Sequence, residues 1–353
     1  MKVKSAWTLC VLVSSFVLSQ SAWSFTTMSG DLESFLKTID YGDKDADNWV
    51  EPDVVKLDQY RTAVDYFLAN DFHTAHQVAL SIGYEVIEFT TGKGKKTKKH
   101  YLLWETEQLP SKAFTGGGTL VMNPNGANVV LQAPHPNSDL HTEDQAIETY
   151  LGTNAKYLML AGTRRKNSTG LSPCTDGSYR KSDSAHYTEH LFYATHERIS
   201  LFNPATVFIQ LHGFGASNLN NLQAQCETTS ELLANISDGV NYQSDPNGSD
   251  FMHVLRRNIE ADGIIDACIY GNDTTSLGGT WNTTGRFTNG SVDACTLDAG
   301  QSSNRFIHLE QSYNIRAHYR TEMKNYLSDA INEYFNGGGS NGGGNGGGKG
   351  RNK

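Results

Sequence analysis

The chain has 353 residues, long enough for one large α/β core with an accessory region, and a formal net charge of -9. That acidic balance argues against a nucleic-acid binder, whose affinity for the phosphate backbone comes from Lys and Arg. At the start, Lys2 and Lys4 precede an apolar run from Trp7 to Leu18, and Ala22-Trp-Ser24 offers a small-x-small box. This predicts a cleaved signal peptide over 1–24, a secreted or periplasmic chain and no stable membrane insertion.

Asp31 to Lys37 starts a short helix. Tyr41 to Asn48 reads Y-G-D-K-D-A-D-N, half a calcium loop without its glycine and closing glutamate, and is predicted to be a capping loop. Pro52 opens a helix with Val54, Leu57, Tyr60, Val64, Phe67 and Leu68 at helical spacing. A second helix, with His73 and His76 read as surface histidines, completes an αα-hairpin. From Tyr84 the period changes to two. Tyr84 to Thr90 and His100 to Glu105 form a β-hairpin whose basic turn, Gly92 to Lys99, is a solvated tip.

Gly116 to Gly118 leads into Leu120-Val-Met and an Asn123-Pro-Asn-Gly turn. The stretch from Asn128 to Arg164 is then the most informative. Val129 to Ala133 is a strand ended by Pro134, and a dense polar group follows: His135, Asp139, His141, Thr142 and Glu143. A helix from Thr142 to Leu151 closes at Gly152, and a second strand covers Tyr157 to Ala161. Open α/β sheets place their sites at such carboxyl ends of strands.

Further on, Ser182 or Asp183 can cap a helix from about Ala185 to Ile199, with His186 and His190 one turn apart. Thr206 to Leu211 is a buried strand running into His212-Gly-Phe-Gly. A short helix is expected at Leu232 and Leu233, another over Phe251 to Glu260, and a strand over Ile264 to Tyr270. Gly271 to Ser303 is a long polar loop. Arg305 to Ser312 is the last strand, and one helix runs from Asn314 to Phe335. The Gly/Asn-rich repeat from Gly337 is expected to be disordered.

These elements predict an α/β fold: a three-layer open, mostly parallel sheet with helices on both faces, plus an N-terminal helical and hairpin region. The expected divisions are 1–24 signal, 25–115 accessory region, 116–336 α/β catalytic domain and 337–353 tail. After removal of the signal, Cys174, Cys226, Cys268 and Cys295 remain. Their even number predicts two disulfides, with three pairings open, and their spacing matches no zinc knuckle.

Three strand ends carry histidine: His135, His212 and His308. Zinc takes His nitrogen and carboxylate oxygen with one position left for water, so His135, His212 and an acid, Glu143 or Asp139, form a ligand set for Zn2+. Glu310 alternates with His308 on one face of its strand and could carry protons for a bound water. Arg316 or Arg164 could hold a carboxylate or an oxyanion, and His186 could donate to the intermediate or serve as a further ligand. Two other readings stand beside this one. Gly213-Phe-Gly-Ala-Ser217 with Asp176 and His186 would suit a serine esterase, although Gly-x-Ser-x-Gly is absent. A non-catalytic peptide- or glycan-binding module is the other.

The order His135, acid, His212, late Glu310 resembles the phosphorylase/hydrolase-like α/β fold of the zinc amidohydrolases, over about Asn128 to Phe335. N-formylglutamate amidohydrolases, N-acetylmuramoyl-L-alanine amidases and zinc carboxypeptidases belong to that group. The resemblance implies metal-assisted cleavage of an amide in a small peptide or cell-wall fragment, with Glu310 catalytic. Two family signatures are missing. The carboxypeptidase H-x-x-E pair has Ser138 at its acid position, and the amidase opening D-P-G-H-G is replaced by Ala133-Pro-His-Pro.

Overall fold

The computed structural model describes residues 25–106, 114–241 and 248–336. The predicted signal peptide and Gly/Asn tail lie outside these residues. In chain order the strands are β1 (Thr26–Ser29), β2 (Tyr84–Thr91), β3 (Lys98–Glu105), β4 (Thr119–Met122), β5 (Ala127–Ala133), β6 (Ala155–Leu160), β7 (Val207–Gly213), β8 (Leu233–Ser237), β9 (Asp266–Ile269) and β10 (Phe306–Gln311). The helices are α1 (Leu32–Leu36), α2 (Val54–Leu68), α3 (Phe72–Leu80), α4 (Thr142–Gly152), α5 (Leu191–Phe202), α6 (Ala216–Gln225), α7 (Phe251–Ile259), α8 (Thr283–Thr288), α9 (Tyr313–His318) and α10 (Arg320–Asn336).

All ten strands join one sheet in the order β1-β2-β3-β4-β6-β5-β7-β10-β8-β9. The sheet is mixed. Five of the nine pairings are parallel and four antiparallel. The expected β-hairpin is present, and β3 pairs with β4, so the N-terminal region is continuous with the sheet.

Successive strand side chains alternate between two apolar clusters. Val129, Leu131, Ile209 and Leu211 pack in one cluster with Leu36 of α1, Ile147 of α4, Leu255 of α7 and Leu327 of α10. Val130, Phe208 and Phe306 pack in the other with Tyr60 and Phe67 of α2, Ala75 of α3 and Phe192 of α5. The second cluster changes character along the strands. Phe208, Gln210 and His212 follow one another on one face of β7, as Phe306, His308 and Glu310 do on β10. The register sets Gln132 beside Gln210 and His212 beside Glu310. The floor of the sheet is therefore apolar, its middle carries buried amides, and its carboxyl edge carries histidine and carboxylate.

Five expectations change. His76, read as a surface histidine, is buried, and its Nδ1 accepts from Val86 N–H at 3.1 Å. The helix predicted from Ala185 begins at Leu191, capped by the His190 ring, which accepts from Phe192 N–H. Residues before it stay in a loop because their polar side chains bind elsewhere. Ser184 Oγ donates to Pro134 O at 2.8 Å, and Ser172 Oγ to His186 O at 2.7 Å. Leu233 lies in β8 rather than a helix, buried between β10 and β9. The segment from Gly271 to Ser303 contains α8. The last helix is broken at Tyr319 into α9 and α10.

The cysteines pair as Cys174–Cys295 and Cys226–Cys268. No helix among the described residues is long and apolar enough to cross a membrane. The two disulfides are consistent with an oxidising compartment.

Candidate active site

The parallel strands β5, β7 and β10 are adjacent, and their carboxyl ends deliver His135, His212, His308 and Glu310 to one cavity of about 440 Å³. All four side chains are buried. The loop after β6 adds Arg165 and Tyr179, and the loop before α5 adds His186. The backbone of Gly278 to Trp281 forms the opposite wall.

Asp183, which is also buried, organises the loop side. Its Oδ1 lies 2.9 Å from His135 Nε2 and 2.9 Å from His186 Nδ1, and its Oδ2 accepts from Arg165 Nε at 2.9 Å. Burial opposes its ionisation, but Arg165 and the two histidines hold its carboxyl well below the usual range. Tyr179 stacks on the His186 ring at 3.8 Å with the planes 1° apart, and Arg165 lies over Tyr179.

Asp139 faces the other side of His135. Its Oδ2 is 2.9 Å from His135 Nδ1 and 3.4 Å from His212 Nδ1, and it also accepts from Gly213 N–H at 3.2 Å. The two Nδ1 atoms are 3.1 Å apart. The remaining nitrogens explain this convergence. His212 Nε2 is 2.7 Å from Gln210 Oε1, an atom that only accepts, and His135 Nε2 faces the ionised Asp183. Both Nε2 atoms therefore carry the protons, and both Nδ1 lone pairs point with Asp139 Oδ2 at one place. Two imidazole nitrogens and a carboxylate are a common zinc donor set, and a carboxylate on the far nitrogen is the usual orienting partner. The residues present fit a cation here. Burial and Arg165 pull the His135 ring down, yet Asp183 and Asp139 overrule them and leave it raised, so the surroundings favour positive charge at this ring. Arg165 NH1, 3.1 Å from His135 Nδ1, supplies part of it.

Two further groups have metal-holding geometry: His135 with Asp183 and His186, and His212 with His308 and Glu310. In the last group, Glu310 Oε2 and His308 Nδ1 are buried and have no hydrogen-bond partner among the described residues. Burial, and then the charge of Asp139, pushes the Glu310 carboxyl up to about 8. Burial holds His212 down at about 4, and burial with His212 beside it holds His308 well below its ordinary value.

The other residues singled out in the sequence fall around this centre. Glu143 Oε1 accepts from Asn137 N–H at 3.3 Å at the start of α4, and none of the metal-holding groups among the described residues includes it. Arg316 is buried and donates to the carbonyls of Leu140, Gln311 and Phe214, tying together the chain after β5, β10 and β7. Arg164 donates to Asn137 O at 2.8 Å and lines a neighbouring cavity with Lys44 and Lys166. Asp176 lies in a separate cavity from His186, whose ring is bonded to Asp183. The Tyr41 to Asn48 loop caps a neighbour, as its sequence predicts. Asp47 accepts from Thr169 N–H and Oγ, and Asn167 ties Asp43 and Asn48 to the loop that carries Arg165.

Asp183, read only as a candidate helix cap, Arg165 and Gln210 are not among the site residues the sequence suggests. Asp183 and Arg165 sit in loops with no periodicity. Gln210 left one trace: like Gln132, it is a lone amide at an alternate position of an otherwise apolar strand, where a buried polar group demands a partner.

No family model matches the chain, and no curated protein does. Several solved chains do, among them two at low identity. One, described as YNDL-apo (Zinc-free), is 12% identical with a TM-score of 0.34, over 61% of this chain and 90% of that one. The other, the N-formylglutamate amidohydrolase from Ralstonia eutropha JMP134, is 9% identical with a TM-score of 0.38, over 61% of this chain and 97% of that one. Both are remote structural similarities at low sequence identity.

Proposed function

We propose that the protein is a secreted zinc-dependent hydrolase that cleaves an amide bond in a small peptide or cell-wall fragment. The observation that carries this reading is the convergence of His135 Nδ1, His212 Nδ1 and Asp139 Oδ2, with both Nε2 protons taken up elsewhere. These three residues would hold the metal, and Glu143 would stay at the helix start. A bound Zn2+ would polarise a carbonyl and lower the pKa of water toward ~7.

The protein's own groups then do the rest. Glu310 lines the cavity, its Oε2 has no hydrogen-bond partner among the described residues, and its raised proton affinity suits it to take a proton from the attacking water. The same carboxyl returns that proton to the departing nitrogen. Arg165 and His186 line the cavity beside the ligand residues and would steady the oxygen that gains negative charge. Arg316 and Arg164 would act at one remove, holding the backbone that carries these groups.

The test is elemental analysis of the folded protein with turnover of a panel of N-acyl amino acids and short peptides. One equivalent of zinc is expected in the parent, with sharp loss in H135A, H212A and D139A. E310Q should keep zinc and lose turnover. A parent that binds no divalent metal would remove this reading and bring forward the esterase and binding-module alternatives.

A further inference from the structure

We infer that Gln210 is a positioning residue: its amide oxygen, 2.7 Å from His212 Nε2, keeps the His212 proton on that nitrogen and leaves Nδ1 bare toward His135 and Asp139. The consequence for zinc affinity rests on the function proposed above; the proton's position does not.

The direction of every bond in this network can be traced to backbone atoms, which cannot be flipped. Asn282 caps α8, and its Oδ1 accepts from the N–H groups of Thr284 at 3.1 Å and Gly285 at 3.2 Å. A backbone N–H only donates, so the other end of Asn282 is its NH2, and this donates to Gln210 Oε1. The Gln210 NH2 must then face the other way. It donates to Gln132 Oε1 at 3.0 Å and to Thr284 Oγ1 at 3.2 Å. Gln132 in turn donates to His196 Nδ1 at 3.0 Å and to Met159 Sδ at 3.1 Å. His196 Nε2 closes the series on Thr288 Oγ1 at 2.6 Å. Every member is buried, so no bulk solvent competes for these groups. Reversing any one link would set two donors or two acceptors against each other inside the core.

His212 is thus oriented from α8, which lies in the same 271–303 segment that walls the cavity at Gly278 to Trp281. Partners on the far nitrogen of a metal-binding histidine typically change metal affinity by roughly 10- to 100-fold when lost.

The experiment uses the 15N-labelled full chain, stripped with EDTA at pH 7.5. Long-range proton–nitrogen correlation of the imidazoles shows which ring nitrogen of His212 is protonated, with H212N providing the assignment. A proton on Nε2 is expected. Zinc affinity is then read by competition with a chromogenic chelator. Q210M should weaken zinc by roughly 10- to 100-fold and mix the tautomers, and Q210E, which still accepts, should restore both. N282D places an acceptor against Gln210, turns its amide and should move the proton to Nδ1. A proton on His212 Nδ1 in the parent overturns the assignment, as does a Q210M protein unchanged in tautomer. If Q210M fails to fold, the parent and N282D spectra decide. An Nε2 proton with no zinc binding would leave the role of Gln210 intact and remove the metal reading instead.

Discussion

Asp183 Oδ1 lies 2.9 Å from His135 Nε2, joining two residues 48 positions apart, and the same carboxylate holds His186 and Arg165. A buried acid with three cationic or donor partners orients the site and also stabilises the fold. Its substitution should therefore register in two independent measurements. D183N removes the nearer of Arg165's two carboxylate partners, leaving Asp139 Oδ1 at 3.7 Å, and breaking a buried pair costs ~3–5 kcal/mol. Denaturant unfolding of the metal-free protein should show a loss of that order. Zinc affinity should fall as well, by roughly 10- to 100-fold. Unchanged unfolding of D183N would show that the carboxylate contributes orientation alone.

The two acids near His135 should separate cleanly. Asp139 meets both ligand nitrogens, while Glu143 meets Asn137 N–H. D139N is expected to abolish stoichiometric zinc. E143Q is expected to retain it and to lose about 1 kcal/mol or less, the scale of one neutral hydrogen bond at a helix start. Equilibrium dialysis followed by elemental analysis distinguishes the two, and zinc loss in E143Q would reassign the ligand.

The disulfides close loops of different size, with sequence separations of 121 for Cys174–Cys295 and 42 for Cys226–Cys268. Loop-closure entropy assigns about 5 and about 4 kcal/mol to them. Paired Cys→Ala variants should both unfold earlier, and the first should also impair turnover. Cys295 belongs to the segment that walls the cavity, and Cys174 to the loop leading to Asp183. Wild-type turnover in the C174A/C295A variant would show that the wall is held by its other contacts.

How much of this was legible in the sequence follows from the range of each interaction. The α2–α3 hairpin, the β2–β3 hairpin and α4 rest on local periodicity and capping, and these were readable. His135, His212, His308 and Glu310 were readable because a polar residue at the end of an apolar strand is a local signal. The 181–190 loop misled, since its hydroxyls and acids satisfy a helix-start pattern while their partners, Pro134 and His135, come from β5's end. The strand at Leu233 is fixed by its neighbours β10 and β9, and no residue near it announces them.

Glu105 gives a pH signature away from the site. It is 1% exposed and accepts from Gly118 N–H at 2.8 Å. Burial outweighs that bond and lifts its carboxyl from 4.5 to about 7. Between those values the folded state holds the proton more tightly than the unfolded chain, so the contribution is complete below about pH 4.5 and fades as pH rises to about 7. At ~1.4 kcal/mol per unit the total is on the order of 3 kcal/mol. E105Q cannot ionise and should lack this part of the pH dependence, gaining on the parent from pH 5 to 8. Parallel unfolding curves for the two proteins across that range would show that Glu105 is not the source.

Gly279 is the glycine whose replacement should report on the cavity wall. It has φ +63°, and a Cβ there would lie 2.7 Å from His308 Cγ. The backbone around it has little freedom to retreat, because Asn235 Nδ2 donates to Leu277 O at 3.2 Å and Ser237 Oγ to Gly278 O at 2.6 Å. The His308 ring is buried and packs against the His212 ring, centroids 4.2 Å apart and tilted by 37°, so it cannot swing away without disturbing that ring. Gly263 provides the control, since its φ is +70° and no atom lies within 4 Å of a Cβ built there. G263A should show only the left-handed backbone cost, ~1–2 kcal/mol. G279A should show that cost plus a steric one of ~1–3 kcal/mol, and should lower kcat by shifting His308 against Glu310 and His212. Equal unfolding energies for the two variants, with full turnover in G279A, would mean that the wall gives way freely and that its contact with His308 does not set the shape of the site.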